Sequence, residues 1–160
     1  MQIERPKFGR EIIKGKQTSR NIALNCKRAV LESKEAAEII AKHFRGKDLE
    51  STCFNVWEWL RSNIKYKKEG NGEQSAKTLQ RIAYDKFGDC KHYTIFSCAI
   101  LRALGIPAEM RLISQNYYDP ETTHIYCVVK KGKKEIIIDP CIRRFDSEAI
   151  YKYKYTLKID

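Results

Sequence analysis

The apolar pattern of this 160-residue chain changes period at Leu104-Gly105-Ile106-Pro107, and that change limits the folds open to it. Before it, apolar residues recur at helical spacing; after it, they alternate. Ile22, Cys26, Ala29, Val30, Ala36, Ala37, Ile40 and Phe44 predict one helix from a cap at Thr18 or Ser19 to about Phe44, stopped by Gly46. A second helix is predicted from Asp48 to about Ser62, with Leu49, Cys53, Val56, Trp57 and Leu60 on one face. A third begins at Cys90 and ends at Leu104, where Gly105 and then Pro107 form a stop signal. Between them, Ile64-Lys65-Tyr66 reads as a short extended piece, Lys67 to Ala76 as a polar loop, and Ser75 to Tyr84 as a turn or short helix. Beyond Ala108 come a strand from Glu109 to Ser114, a loop from Gln115 to Thr122, and a hairpin of His124 to Lys130 with Lys134 to Asp139. A last strand sets Tyr151, Tyr153, Tyr155, Leu157 and Ile159 against Lys152, Lys154, Thr156 and Lys158, an edge guarded by lysines. Helices first and an antiparallel sheet second define an α+β class. The chain divides into a basic arm, residues 1–17, and one domain, residues 18–160.

A hydrophobic content of 42% supports a folded core. Against 20 acidic residues stand 31 basic ones, a formal net charge of +11. That charge favours anionic partners, such as an acidic protein or virion surface met by the arm and the Tyr/Lys tail. Nucleic acid is a weaker expectation, because no recognition motif accompanies the charge. No run is apolar enough for a membrane span or a signal peptide, so no membrane partner and an intracellular setting are expected. Of the six cysteines, Cys26, Cys53 and Cys98 fall inside helical apolar patterns and no CxxC pair occurs, which predicts reduced thiols. The histidines and cysteines show no zinc-ligand spacing, so neither a metal nor a cofactor is expected.

Phe87-Gly88-Asp89-Cys90-Lys91-His92-Tyr93 places a cysteine between a turn and the helix that follows. A thiol at a helix N-terminus meets the positive end of the backbone dipole and free first-turn amides, and both favour the nucleophilic thiolate. Downstream lie His124 on one strand of the hairpin and Asp139 at the end of the other. A turn centred between Lys131 and Gly132 sets these two directly opposite, ~4.5–5.5 Å apart at Cβ. Asp139 then holds one imidazole nitrogen and leaves the other for Cys90. In such a triad His124 takes the thiol proton, the sulfur attacks a carbonyl to form a thioester, and the imidazolium protonates the leaving group. The Cys90 N–H is the natural first oxyanion donor, and Gln74 or Gln80 could supply a second. Asp89 is expected to cap the helix. His92 is expected to be an exposed helix residue, Trp57 and Trp59 to serve as core and groove wall, and Cys127 and Cys141 to pack.

Several of these pieces form one pattern: Trp57-x-Trp59 with Asn63-Ile64-x-Tyr66, then Gly88-Asp89-Cys90, then Leu101-Arg102-Ala103-Leu104-Gly105-Ile106-Pro107-Ala108, then Thr123-His124 and Ile138-Asp139-Pro140. This run resembles the transglutaminase-like superfamily of papain-type cysteine enzymes. The resemblance implies a Cys–His–Asp triad on Cys90, His124 and Asp139, and a cysteine-bearing helix packed on a small antiparallel sheet. Members include peptidases, protein-crosslinking enzymes, amidases and inactive relatives. Two departures stand out: Ile125-Tyr126 follows His124 where many relatives carry Ala-Trp, and Lys91-His92 adds positive charge after the cysteine. The chain is also similar to small domains encoded by bacteriophages and prophages. The expectation is a cysteine peptidase or amidase acting on a peptide or protein amide, with crosslinking second. A catalytically silent scaffold, for instance a virion component, is the rival reading.

Overall fold

The computed structural model describes residues 10–14, 18–69, 73–115 and 124–159, with backbone alone for 10–14, 73 and 74. Within these residues the chain is α+β, five helices ordered around a four-stranded antiparallel sheet.

The first helical stretch is broken where one continuous helix was expected. Helix α1 (Ser19–Glu32) starts at Thr18, whose Oγ1 accepts the Asn21 N–H at 3.2 Å. It stops at Ser33, and α2 (Lys34–Ile40) continues into a 3-10 turn, Ala41–Phe44. The cause is tertiary. The buried Ser33 hydroxyl donates to Ala29 O at 2.6 Å and accepts the Leu79 N–H at 2.9 Å, so the break anchors a distant helix start. Helix α3 (Leu49–Asn63) begins with a capping box, Asp48 accepting the Ser51 N–H at 2.8 Å while Ser51 Oγ accepts the Asp48 N–H.

A strand pair covers ground read from sequence as arm and loop. Residues Arg10–Lys14 form β1, which pairs antiparallel with Glu73–Lys77, here β3. Residues 10–14, read as part of the arm, thus pair with a strand of the domain; residues 1–9 and 15–17 lie outside the described ones. Short β2 (Lys65–Tyr66) runs parallel to β4 (Phe87–Gly88), with Lys65 N–H to Lys86 O at 2.9 Å and Lys67 N–H to Gly88 O at 2.8 Å. This clip ties the end of α3 to the residues just before Cys90. Between β3 and β4 lies α4 (Leu79–Asp85).

Helix α5 (Cys90–Ala103) is the axis of the molecule, buried without a break from Lys91 to Leu101. An all-round buried helix follows from its nearly continuous apolar run. It ends in a Schellman motif: Ile106 N–H reaches Leu101 O at 2.9 Å, Gly105 N–H reaches Arg102 O at 3.0 Å, and Gly105 sits at φ +74°.

The main sheet comprises β5 (Glu109–Ser114), β6 (His124–Lys131), β7 (Lys134–Ile138) and β8 (Tyr153–Lys158), in the order β7-β6-β5-β8. Met110, Leu112, Ile125, Cys127 and Ile138 join the helical core. Each such buried aliphatic side chain contributes roughly 1.5–3 kcal/mol. On the other face, Ile113, Tyr126, Val128 and Ile137 pack under Ala149 and Tyr151, beside a buried Arg111 paired with Glu135 at 2.5 Å and Glu148 at 2.6 Å.

The hairpin turn is Gly132-Lys133, not Lys131-Gly132: Lys131 pairs with Lys134 and Cys127 with Ile138. Gly132 at φ +61° supplies the positive torsion of the first turn position. Extending that register puts Asp139 across from Tyr126 and diagonal to His124. The two-residue shift preserves parity, so the side chains still emerge on one face.

Candidate active site

Cys90 is the first residue of α5, and Asp89 is its N-cap. Asp89 Oδ1 accepts the Lys91 N–H at 2.9 Å and Oδ2 accepts Lys91 Nζ at 2.5 Å. Helix geometry leaves the Cys90 N–H without an intrahelical partner, pointing out of the first turn.

The far side of this turn is built by a residue the sequence reading placed in solvent. His92 is 1% exposed. Its Nδ1 accepts the Asp89 N–H at 2.9 Å, so the neutral ring carries its proton on Nε2 and donates to Ser75 O at 3.0 Å. Burial pushes its pKa down to about 4, against a smaller opposing effect of the Asp89 charge. Gly88 is dictated by this ring: a Cβ there would lie 2.7 Å from His92 Cβ and 2.8 Å from its Nδ1. Glu69 lies 3.3 Å from Lys91 Nζ and completes a buried network of alternating charge. For Lys91, burial opposes the charged form, but Asp89, by charge and hydrogen bond, and Glu69 outweigh it and hold the pKa above the usual lysine range.

His124 opens β6, and its Nε2 lies 2.6 Å from Asp139 Oδ2. On its other side the ring faces the cavity that Cys90 also lines. With Nε2 committed to Asp139, Nδ1 is the nitrogen left for the sulfur. Burial pulls the imidazole pKa down, but the hydrogen bonds and charges of Asp139 and Cys90 outweigh it and raise it to about 10. Asp139 is 2% exposed and fixed from three directions. Its Oδ1 accepts the Cys141 N–H at 3.1 Å, its Oδ2 meets His124, and its carbonyl accepts Trp57 Nε1–H at 3.2 Å. One turn along α3, Arg61 Nη1 donates to Pro140 O at 2.7 Å and stacks on Trp57. Arg61 carried no signal in the sequence, because its role depends on a carbonyl far along the chain.

Cys90 and His124 share a cavity of about 150 Å³ with Ile22, Tyr66, Lys68 and Leu112. Neither tryptophan lines it, which corrects the groove-wall expectation. Trp57 supports the Asp139 backbone, and Trp59 is drawn into the core, stacked on Phe96 at 4.9 Å. Gln80 lies outside the cavity on α4, with a buried Oε1 that has no hydrogen-bond partner among the described residues. Gln74 lies in β3 opposite Ile13, its side chain outside the described residues. Cys127 is buried, Sγ 3.6 Å from Cys98 Sγ, whereas Cys141, expected to pack, is exposed beside Asp139. A larger cavity, about 720 Å³, lies at the other end of α5 around Cys98, Ile106, Pro107 and Ile159, away from Cys90, His124 and Asp139. Among the described residues no helix is long and apolar enough to cross a membrane.

The sequence matches the family model of the transglutaminase-like superfamily over residues 36–149, more than half the chain. No curated protein matches it. Among solved structures, a candidate cysteine protease from Cytophaga hutchinsonii is similar at 17% identity and a TM-score of 0.55, over 82% of this chain and 48% of that one. A candidate protease from Parabacteroides distasonis is similar at 10% identity and a TM-score of 0.58, over 90% of this chain and 30% of that one. The chain thus spans less than half the length of either protein, and the likeness is one of fold.

Proposed function

Because the chain belongs to the transglutaminase-like superfamily, we propose that Cys90, His124 and Asp139 form a catalytic triad for acyl transfer from a peptide or protein amide. The observation that carries this reading is the position of one imidazole, hydrogen-bonded to a buried carboxylate and sharing a cavity with a sulfur at a helix N-terminus.

In this mechanism the Cys90 proton resides on His124 Nδ1, and Asp139 stabilises the imidazolium. The sulfur attacks the amide carbonyl, and a C–S bond forms as the carbonyl π pair moves to oxygen. The Cys90 N–H meets that oxyanion. Collapse breaks the C–N bond while the Nδ1 proton passes to the departing amine, leaving a thioester and neutral imidazole. Water, deprotonated by Nδ1, attacks the thioester; the C–S bond breaks, and an acid and the starting pair are regained. An amine in place of water gives a new amide by the same steps. Hydrolysis is the preferred outcome, in keeping with the protease assignments of the two similar structures.

The test is activity-based labelling with a peptide electrophile, together with amide hydrolysis, in wild type and Cys90→Ala. Labelling and turnover should both vanish in the variant, and full residual activity would refute the triad. Iodoacetamide near neutral pH should alkylate Cys90 before the other cysteines. That includes exposed Cys141, whose thiol pKa burial and then the Asp139 charge push well above the ordinary range.

A further inference from the structure

Cys141 takes no part in the acyl-transfer steps, yet its backbone N–H donates to Asp139 Oδ1 at 3.1 Å, which holds the residue beside that carboxylate. A ring nitrogen of His124, a carboxylate oxygen of Asp139 and Cys141 Sγ all lie within 4.8 Å of one another. The ring nitrogen facing Asp139 is Nε2. Sequence spacing showed no zinc motif because these donors come from opposite arms of a hairpin and the turn after it. Imidazole, carboxylate and thiolate are the donors a borderline-soft dication prefers, and three protein donors leave a fourth position for water. Around a tetrahedral zinc ion, N, O and S donors stand roughly 3.3–3.6 Å apart, so the ion would part the His124–Asp139 pair from its 2.6 Å contact and draw all three donors within the 4.8 Å they now span at most.

A second cluster on the other side of Cys90 shows what an already satisfied site looks like. Glu69, Asp89 and His92 also bring three donors within 4.8 Å. There the Lys91 ammonium is paired with both carboxylates, and both His92 nitrogens are engaged. At the His124 cluster, among the described residues, the ion pair formed is that of His124 with Asp139, and its positive charge is a dissociable proton.

We propose that His124, Asp139 and Cys141 bind a thiophilic divalent transition metal, zinc in the first instance, and that the bound ion switches the acyl-transfer site off. Zinc displaces the Nε2 proton and the Cys141 thiol proton, both released to solvent, and bonds to Nε2, Sγ and a carboxylate oxygen. The ring keeps one proton, on Nδ1. A departing amine must then take that proton and leave a metal-bound imidazolate, and zinc-bound imidazole is a weaker acid than free imidazolium. The inhibitory half rests on the triad reading; the binding half does not.

The test uses the full chain, stripped with a chelator and titrated with Zn²⁺ by calorimetry and with Co²⁺ by absorbance. Wild type should bind one ion per chain and show a thiolate-to-cobalt charge-transfer band. Cys141→Ser should lose that band and bind Zn²⁺ at least 10-fold more weakly, while Cys90→Ala should keep both properties. A band that survives in Cys141→Ser, or that vanishes in Cys90→Ala, would overturn the site. In amide hydrolysis, the Zn²⁺ concentration giving half-inhibition should rise at least 10-fold in Cys141→Ser relative to wild type, and chelator should restore the rate. Equal half-inhibition in the two proteins would overturn the switch. If no hydrolysis is found at all, the triad reading fails while the cobalt spectra still decide the metal site.

Discussion

Two imidazoles flank Cys90, and the fold drives them in opposite directions. His92 is buried with both nitrogens bonded to neutral backbone groups, and its pKa falls to about 4. His124 is also largely withdrawn from water, 21% exposed, but a carboxylate lies 2.6 Å away and its pKa rises to about 10. Burial penalises the charged form in both. The sign is decided by whether an opposite charge is placed to overcome that penalty. His92 does have Asp89 nearby, at 3.3 Å, but that carboxylate is already bound to the Lys91 ammonium at 2.5 Å. One ring becomes a neutral strut that shapes the nucleophile turn. The other holds its proton beside a buried carboxylate.

The largest expected effect comes from making the second ring resemble the first. Asp139→Asn keeps the acceptor for the Cys141 N–H but removes the charge facing Nε2. The His124 pKa should fall from about 10 toward its ordinary value, and hydrolysis should drop by ~10²–10⁴-fold, the usual contribution of a positioned proton carrier. Ring-proton NMR titration measures the first and steady-state kinetics the second. If His124 still titrated near 10 in the variant, Asp139 would not be the cause of the difference.

The next effect separates the two rings by pH. His92 has a folded pKa of about 4, below its unfolded 6.5, so the unfolded chain binds the extra proton. Stability is therefore lost as pH falls from 6.5 through 4, by a few kcal/mol at most. His124 has the opposite sign, with a folded pKa of about 10 above 6.5. Its contribution is complete below pH 6.5 and is lost as pH rises toward 10. Urea unfolding from pH 4 to 10 should show both slopes. His92→Gln should flatten the acid slope alone, with an overall loss of roughly 1–3 kcal/mol from the Asp89 N–H it serves poorly. An unchanged acid slope would mean that other groups set it.

The two rings also differ in how far the sequence reveals them. The placement of Cys90 at a helix start and of His124 beside Asp139 was legible because each rests on a local rule: a turn before an apolar helix, and two strand positions of equal parity. The register itself was misread by two residues, and parity absorbed the error. His92 was not legible as buried, because what covers it is Ser75 on β3, a strand whose sequence Glu73-Gln74-Ser75-Ala76-Lys77 has no alternating apolar pattern and which pairs with β1. Two signals did point to it. An α5 apolar on nearly every side leaves little surface for an exposed imidazole, and Asp89-x-x-His92 has capping-box spacing. The break at Ser33 and the anchoring by Arg61 were invisible for the same reason: each is a side chain bonded to backbone far along the chain.

The smallest expected effect probes the strut through its neighbour. Gly88 has no positive torsion to explain it. Its requirement is space, since an added Cβ would meet His92 Cβ at 2.7 Å. Gly88→Ala should therefore cost ~1–3 kcal/mol, the range for forcing a methyl into packed structure. That cost should shrink to a few tenths of a kcal/mol when His92 is already Ser, because the ring that obstructs the methyl is gone. A double-mutant cycle in urea measures the difference directly. Full additivity would show that Gly88 is constrained by backbone alone, and that the turn before Cys90 would hold its shape without the buried ring.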